Sequence, residues 1–261
     1  MQLDVFQVDA FSSKIFGGNP AAVCPLDVWL PDETLQLIAA ENNLSETAYF
    51  VRSGEVFQLR WFTPAVEVDL CGHATLAAAW VLFNQLAEPT DLLRFSTRSG
   101  ELGVRREGDR LFMDFPAKQP EEVDPPPGLL QALGLRCAEA LYRTDDYVVV
   151  VEDEAIIADL QPDFAALAAF DVRGIVVTAP SHAFDFVSRW FGPRVGVNED
   201  PVTGSAHTSL APYWAHRLGK TVLSAEQGGV RKGQLICELL DNSRVIISGH
   251  GVLFMRGTIF I

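Results

Sequence analysis

The amino-acid sequence predicts an α+β fold of two pseudo-symmetric domains, each a set of strands wrapped round a buried helix. Two pairs of matching segments support this prediction. WFTPAVEV and WFGPRVGV share five residues at equal offsets, and the later segments HATLAAAW and HTSLAPYW share four; they begin at residues 61, 190, 73 and 207. A β-rich run follows each helix-like segment, at 95–115 and 223–249. The same order of elements in both halves indicates a duplicated unit.

The helix predictions come from the pattern of hydrophobic residues and from residues typical of helix ends. PDETLQLIAAENN, residues 31–43, has proline and acids in its first turn and an amphipathic pattern behind them. The segment 71–83, CGHATLAAAWVLF, is apolar on nearly every face, so we expect a buried helix. Residues 163–170 predict a shorter helix.

Turns and a connector set the expected domain boundary. The turn signals at 107–109 and 241–243 interrupt the two β-rich runs. The prolines and acids of 118–130 indicate a connector on the surface. We therefore expect domains at 1–117 and 118–261, with the last strand able to return to the first domain.

Composition and charge exclude several classes of protein. Of the 261 residues, 48% are hydrophobic, and 20 Lys and Arg against 34 Asp and Glu give a formal charge of −14. No segment gathers enough Lys or Arg to follow a phosphate backbone, so we expect no nucleic-acid partner. Asp4 and Asp9 stand where a signal peptide needs an apolar run, and no segment reaches membrane-spanning length. We expect a cytoplasmic protein with no membrane partner.

The spacing of cysteine and histidine predicts neither a disulfide framework nor a metal site. The four cysteines are far apart and form no C-x-x-C pair: Cys24, Cys71, Cys137 and Cys237. His182, His216 and His250 show no metal-ligand spacing with His207 or with each other. We expect reduced thiols and no metal.

The amino-terminal ends of the two matching helices are candidate anion sites. Free backbone N–H groups and the helix dipole attract anions at such an end. Gly72-His73 and Gly204-Ser205 stand at these ends. A small carboxylate could use both sets of donors, and local donors must attract it because the overall charge is negative.

Four motifs resemble, in order along the chain, those of the phenazine-biosynthesis F-type (PhzF-like) isomerases. They are GGNPAAV, NLSETAYF, CGHATLAAAW and GVNEDPVTGSAH, beginning at residues 17, 43, 71 and 196. The resemblance implies the diaminopimelate-epimerase-like fold, in which two similar halves each roll a mixed sheet round a central helix and the active site lies in the cleft between them. It also implies a homodimer.

The same resemblance implies a reaction and a set of residues. The reaction moves a proton between carbons of a small cyclic amino acid, dihydro-hydroxyanthranilate, without metal, flavin or pyridoxal, and the enol formed then tautomerises to a ketone. The catalytic residues of the family map to Glu46 as acid/base, His73 and Asp200. Ser205 is carried over as well, and with the backbone of Gly72 and Gly204 it forms the predicted substrate-binding set.

This chemistry suits the residue types. A carboxylate over one face of a substrate can take a proton from one carbon and return it to another, and burial that raises the pKa of a carboxyl group towards neutrality helps both steps. Glu46 stands among apolar residues, and the imidazole of His73 can hold or protonate an amino or hydroxyl group near pH 7.

Each of these residues also has an ordinary structural interpretation, which the sequence leaves open. Glu46 can be a helix cap or a surface acid, and His73 can satisfy local backbone groups at a helix end. Asp200 and Ser205 can be turn and cap residues. We expect His207, just inside the second helix, to be structural.

Two other functions remain open. Amino-acid epimerases and racemases of the same fold use one thiol from each half. Cys71 stands where the first thiol would be, but Thr203 replaces the second, so this function is disfavoured and Cys71 is expected to be small packing beside the site. The second alternative is a protein that binds a small acid without catalysis.

Overall fold

A computed structural model describes residues 1–241 and 243–261, and in these residues the strands outnumber the helices. The strands are β1 (Gln2–Ala10), β2 (Asn19–Leu26), β3 (Glu46–Ser53), β4 (Val56–Phe62), β5 (Glu67–Val68), β6 (Leu92–Thr97), β7 (Gly100–Glu107), β8 (Arg110–Pro116), β9 (Glu121–Glu122), β10 (Ala140–Arg143), β11 (Tyr147–Val150), β12 (Ile175–Pro180), β13 (Phe186–Gly192), β14 (Val197–Asp200), β15 (Val222–Gln227), β16 (Gly233–Leu240), β17 (Arg244–Gly249) and β18 (Gly251–Phe260). The α-helices are α1 (Asp32–Asn42), α2 (Gly72–Asn84), α3 (Leu129–Ala132), α4 (Glu154–Asp159), α5 (Phe164–Leu167) and α6 (Gly204–Leu218).

The chain divides into two compact units. Unit 1 comprises Met1–Asp114 and Ser248–Ile261, and unit 2 comprises Phe115–Ile247. In unit 1, β1 pairs antiparallel with β18 and β2, so the last strand of the chain joins the first. β2 then runs parallel to β3, β3 antiparallel to β4, and β4 pairs antiparallel with β5 and parallel with β6. Antiparallel pairings of β6 with β7 and of β7 with β8 complete the order.

Unit 2 repeats this order of pairings. β10 is antiparallel to β11, β11 is parallel to β12, and β12 is antiparallel to β13. β13 pairs antiparallel with the short β14 and parallel with β15, which is antiparallel to β16. The long helices α2 and α6 each follow the short strand of their unit, β5 or β14. The predicted α+β class with two pseudo-symmetric halves is confirmed.

The two long helices are buried, as predicted from the apolar sequence of the first and from its repeat in the second half. All but three residues of α2 are buried, and its hydrophobic side chains pack against the strands of unit 1. α6 contains Pro212, which cannot donate a hydrogen bond to the carbonyl of Thr208. The backbone N–H of Lys118 donates to that carbonyl instead, at 2.9 Å. α6 then ends at Gly219, whose φ of +64° suits glycine.

The other sequence-based elements lie near their expected places. The helix expected at 31–43 is α1, and the one expected at 163–170 shortens to the single turn of α5. The turn expected at 241–243 has its central residue, Asn242, outside the described residues. Among the described helices, none has the length and apolar character needed to cross a membrane.

Candidate functional site

Glu46 is held at the start of a strand. It is the first residue of β3 and lies opposite Ala21 in the parallel pairing of β2 with β3. Its side chain is 16% exposed, and its Oε2 is buried. Both structural interpretations of Glu46, as a helix cap and as a surface acid, are therefore wrong.

His73 stands beside this carboxylate. It is the second residue of α2, its side chain is 5% exposed, and its Nε2 lies 3.1 Å from Oε2 of Glu46. Despite this short distance, both atoms are buried and neither has a hydrogen bond of good geometry within the described part of the chain. The pair therefore presents a donor and an acceptor that a third group can engage.

The opposite ring nitrogen of His73 has two other neighbours. Nδ2 of Asn19 lies 3.1 Å from Nδ1 of His73, and Sγ of Cys71 lies 3.6 Å from it. Ser45 Oγ in turn donates to Oδ1 of Asn19 at 3.5 Å. When the ring is neutral, the Asn19 amide in this orientation donates to Nδ1 and the ring proton lies on Nε2, facing Glu46; when the ring is protonated, the amide must turn so that its oxygen accepts from Nδ1. Cys71 thus lies beside the site, in contact with His73, and its role as a small packing residue there stays a prediction.

The environment shifts the pKa of two of these groups. Burial lowers the pKa of His73, but the Cys71 sulfur and the Glu46 carboxylate outweigh burial and raise that pKa well above its ordinary value. Burial and the charge of Glu46 raise the pKa of Cys71 to about 11. The imidazole therefore carries a proton readily near neutral pH, whereas the thiol stays protonated.

Asp200 and Thr203 lie just before α6 in unit 2. Asp200 ends β14 and is buried, and its Oδ2 accepts a hydrogen bond from Oγ1 of Thr203 at 2.5 Å. Gln227 fixes the segment between them: its Nε2 donates to the Asp200 carbonyl at 2.9 Å, and its Oε1 accepts from the Thr203 N–H at 3.0 Å. Thr203 therefore supports Asp200 at the place where a two-thiol racemase would need a cysteine.

Ser205 is bound by an arginine that the sequence analysis did not single out. Nη1 of Arg173 donates to Ser205 Oγ at 2.8 Å, and Nε of Arg173 donates to Oδ1 of Asp146 at 2.8 Å. Asp146 is 1% exposed and also accepts from the indole N–H of Trp190 at 3.0 Å. This cluster holds a half-buried cation at the first turn of α6, near the negative charge of Asp200.

The strand registers show where the two units differ. Trp61 lies opposite Ala48, and Trp190 lies opposite Val176, so the residue of unit 2 that corresponds to Glu46 is Gly174. A Cβ at Gly174 would come within 2.2 Å of the Trp190 ring. Unit 2 therefore has no acid at the position of Glu46. The internal repeat could have indicated Arg173, because Arg173 immediately precedes the glycine that corresponds to Glu46.

Both long helices begin without a capping side chain. No side chain caps α2 or α6, although both helix starts lie within the described residues. Ser205, expected as a possible cap, accepts from Arg173 instead. The first backbone N–H groups at Gly72 and Gly204 thus have no acceptor in the side chains of the N-cap residues Cys71 and Thr203, which leaves them suited to an anionic group.

His207 is buried inside α6, and its structural role stays a prediction. It is 0% exposed, its Nδ1 donates to the carbonyl of Thr203 at 2.9 Å, and its ring lies 5.8 Å from that of Phe186. Burial lowers the pKa of His207 to about 4. Its ring is therefore neutral at pH 7.

The lowered pKa predicts a pH dependence of stability. His207 has a pKa near 6.5 in the unfolded chain and about 4 in the folded chain. The free energy of unfolding therefore falls as the pH falls from about 6.5 to about 4. We expect the loss to reach about 3 kcal/mol at the lower end. His207→Asn keeps an N–H donor and removes the titration, so its unfolding free energy should vary less over this range in urea titrations. His182→Asn, at an exposed histidine, is the control; equal slopes for both variants would contradict the prediction.

The structure thus brings the sequence-predicted residues together in two groups. Glu46 and His73 meet in unit 1, beside Cys71, and Asp200 and Ser205 lie at the start of α6 in unit 2. Glu46, Cys71 and His73 offer one ligand atom each within 4.8 Å of one another, but Cys71 faces Nδ1 of the ring and Glu46 faces Nε2, so these donors do not converge on one ion.

Comparisons of sequence and of structure identify known proteins that are similar to this chain. The sequence pattern of the family described as "Phenazine biosynthesis-like protein" (PhzC-PhzF) matches residues 8–257. A Pseudomonas aeruginosa protein named as an uncharacterized isomerase is 66% identical over the full length of both chains. The crystal structure of an Enterococcus faecalis protein of the PhzF family has a TM-score of 0.97 and 47% identity, with full coverage of both chains. A probable proline racemase from Agrobacterium radiobacter shares the fold alone, with a TM-score of 0.63 and 11% identity over 99% of this chain and 92% of its own.

Proposed function

Because the chain belongs to the phenazine biosynthesis-like (PhzC-PhzF) family and is an isomerase, we propose that it moves a proton between two carbons of a small cyclic amino or carboxylic acid, with Glu46 as the acid/base. One observation carries this proposal. Oε2 of Glu46 and Nε2 of His73 are buried and form an ion pair at 3.1 Å, and neither has a hydrogen bond of good geometry within the residues that the structure describes. Such atoms are costly to leave unsatisfied, and a bound substrate would satisfy them.

The proposed reaction is a proton shuttle. The Glu46 carboxylate takes a proton from one substrate carbon, and the electron pair of the broken C–H bond spreads into the neighbouring double bond. The protonated carboxyl group then returns the proton to a second carbon, which regenerates the carboxylate. His73 donates from Nε2 to the substrate group on which negative charge builds up, and its raised pKa keeps that proton available near neutral pH.

In this proposal unit 2 supplies groups that bind the substrate. The N–H groups at Gly204 and Ser205 and the cation of Arg173 suit a substrate carboxylate, since a guanidinium has N–H donors beyond those used by Asp146 and Ser205. Asp200 suits the substrate amino group. The proposed reaction does not require two thiols. Thr203 has a hydroxyl group where a two-thiol racemase would have its second thiol.

The test is an exchange experiment in D₂O. We expect the protein to isomerise trans-2,3-dihydro-3-hydroxyanthranilate, with ring protons shifting or exchanging for deuterium in NMR spectra. The same spectra from substrate without protein give the uncatalysed rate. Spectra identical to that control would remove this substrate, and the same silence across a panel of small cyclic amino acids would favour a binding protein without catalysis.

Two further properties belong to the proposal. The resemblance to PhzF-like isomerases supports a homodimer, which light scattering of the purified protein would measure. The four free cysteines, three of them buried, support a reducing compartment such as the cytoplasm.

A further inference from the structure

We propose that Asn19 is a positioning residue for His73, which keeps a proton on Nε2 of the ring and so prevents Glu46 from passing its proton to the ring. The position of the ring proton follows from contacts within unit 1. Its effect on the reaction rests on the proposed function.

The backbone on both sides of Asn19 is constrained. Asn19 is buried at the start of β2, opposite Ala10 of β1. The preceding Gly18 has a φ of +63°, and a Cβ there would lie 2.1 Å from the carbonyl oxygen of Ala10, so only glycine fits. Pro20 follows, and its ring fixes its own φ. The amide of Asn19 therefore reaches His73 from a backbone with little freedom to move.

The contacts of the neutral ring select one position for its proton. Nδ2 of Asn19 lies 3.1 Å from Nδ1 of His73, and the thiol of Cys71, a weaker donor, lies 3.6 Å from the same nitrogen. Oε2 of Glu46 faces the other nitrogen, Nε2, at 3.1 Å. Ser45 Oγ donates to Oδ1 of Asn19 at 3.5 Å and favours this orientation of the amide. A ring that accepts at Nδ1 carries its single proton on Nε2.

The same amide suits the protonated ring. Protonated His73 has an N–H group at both nitrogens, so Nδ1 becomes a donor. A half-turn of the Asn19 side-chain amide presents its oxygen to Nδ1 and its nitrogen to Ser45, whose hydroxyl can accept as well as donate. Asn19 thus provides a partner for Nδ1 in both charge states, and Nε2 carries a proton in both.

The internal repeat provides a comparison. His207 is the residue of unit 2 that the repeat aligns with His73, and its Nδ1 donates to the carbonyl of Thr203 at 2.9 Å. The proton of the neutral His207 ring is therefore on Nδ1, and Nε2 has none. His73 bound in that way would present a basic nitrogen to Glu46. The contact with Asn19 gives His73 the opposite arrangement.

This arrangement matters while Glu46 carries the substrate proton. A bare Nε2 at 3.1 Å could accept that proton, which would leave a carboxylate and a protonated ring, and the proton would no longer be available to the substrate. An Nε2 that already carries a proton cannot accept another. The carboxyl group of Glu46 then returns its proton to the substrate and not to His73.

Glu46→Gln provides the test without substrate. Its amide has the shape of the protonated carboxyl group and can donate to Nε2 or accept from it, so it does not select the ring proton. It also removes a carboxylate that raises the pKa of His73, which makes the neutral ring observable at lower pH. In ¹⁵N NMR spectra of histidine-labelled protein, with His73→Gln to identify the signals, we expect the proton of neutral His73 on Nε2. A proton on Nδ1 would overturn the proposal.

Asn19→Asp in the Glu46→Gln background should move the proton to Nδ1, because a carboxylate only accepts. Asn42→Asp in the same background is the matched control. Nδ2 of Asn42 donates to Oγ1 of Thr47 at 3.1 Å, one residue after Glu46, and this hydroxyl can donate to a carboxylate instead. Here the proton should stay on Nε2.

A proton that stays on Nε2 in the Asn19→Asp protein, or that moves to Nδ1 in the Asn42→Asp protein, would overturn the role of Asn19. If the Asn19→Asp protein does not fold, the Glu46→Gln spectra alone still decide where the ring proton lies. Because these spectra need no substrate, a failure of the proposed reaction would leave their outcome unchanged.

Discussion

Glu46→Gln should reduce the proposed isomerisation by about 10³-fold while leaving the protein folded. The amide has nearly the shape of the carboxylate, so β3 should retain its pairing with β2. It cannot accept a proton from carbon at neutral pH, however, and the shuttle loses its carrier. The rate of isomer formation at saturating substrate, measured by NMR, gives the effect on kcat directly.

Glu41→Gln is the matched control for this experiment. Glu41 is an exposed acid on α1, a few residues before Glu46, and the substitution removes the same charge from the same region of the chain. We expect its rate to equal that of the wild type. Equal rates for both variants would exclude Glu46 as the proton carrier, and equal losses would show that the change acts through overall charge.

Asp146→Ala should destabilise unit 2 by about 3 kcal/mol. Asp146 is 1% exposed, and its carboxylate accepts from both Arg173 and the Trp190 indole. Truncation leaves the indole N–H buried without an acceptor and frees the guanidinium from the group that orients it. Urea unfolding followed by tryptophan fluorescence should show the lower midpoint, and KM for an anionic substrate should rise because Arg173 loses its fixed position.

Asp145→Ala separates the effect of burial from that of charge. Asp145 is the preceding residue, and its ion pair with Lys118 is half-exposed on both sides. Exposed pairs contribute at most about 1 kcal/mol, so we expect a small change in the unfolding midpoint and none in KM. A loss for Asp145→Ala as large as that for Asp146→Ala would contradict the role assigned to the buried carboxylate.

The repeat in the sequence predicted the fold because it fixed the order of elements. The first pair of matching segments begins in β4 and β13, and the second pair lies within α2 and α6. The apolar character of α2 predicted its burial correctly. The single-turn length of α5 could not be predicted, because helix ends depend on tertiary contacts that periodicity does not contain.

The candidate site was predictable only in part. The motifs identified Glu46 and His73, and the structure places them side by side. Arg173 and Asp146 were not predicted as site residues, because each lies just before an apolar strand, at a position typical of an ordinary surface charge. The contact of Cys71 with the ring of His73 was not predicted either. The two side chains meet because the backbone of Cys71 is extended, with φ −146° and ψ 113°, and the sequence does not show this conformation.

The strand position of Glu46 limits how far a proton can be carried. Its backbone is fixed in the parallel ladder with β2, so only the torsions of a short side chain remain for the carboxyl group to move between its two carbons. The carboxyl group can therefore reach only a small region on one face of a planar ring. The donor and acceptor carbons must then be near neighbours on the same face, and the proton removed is well placed to be the proton returned. Substrates that require transfer to the opposite face lie beyond its reach.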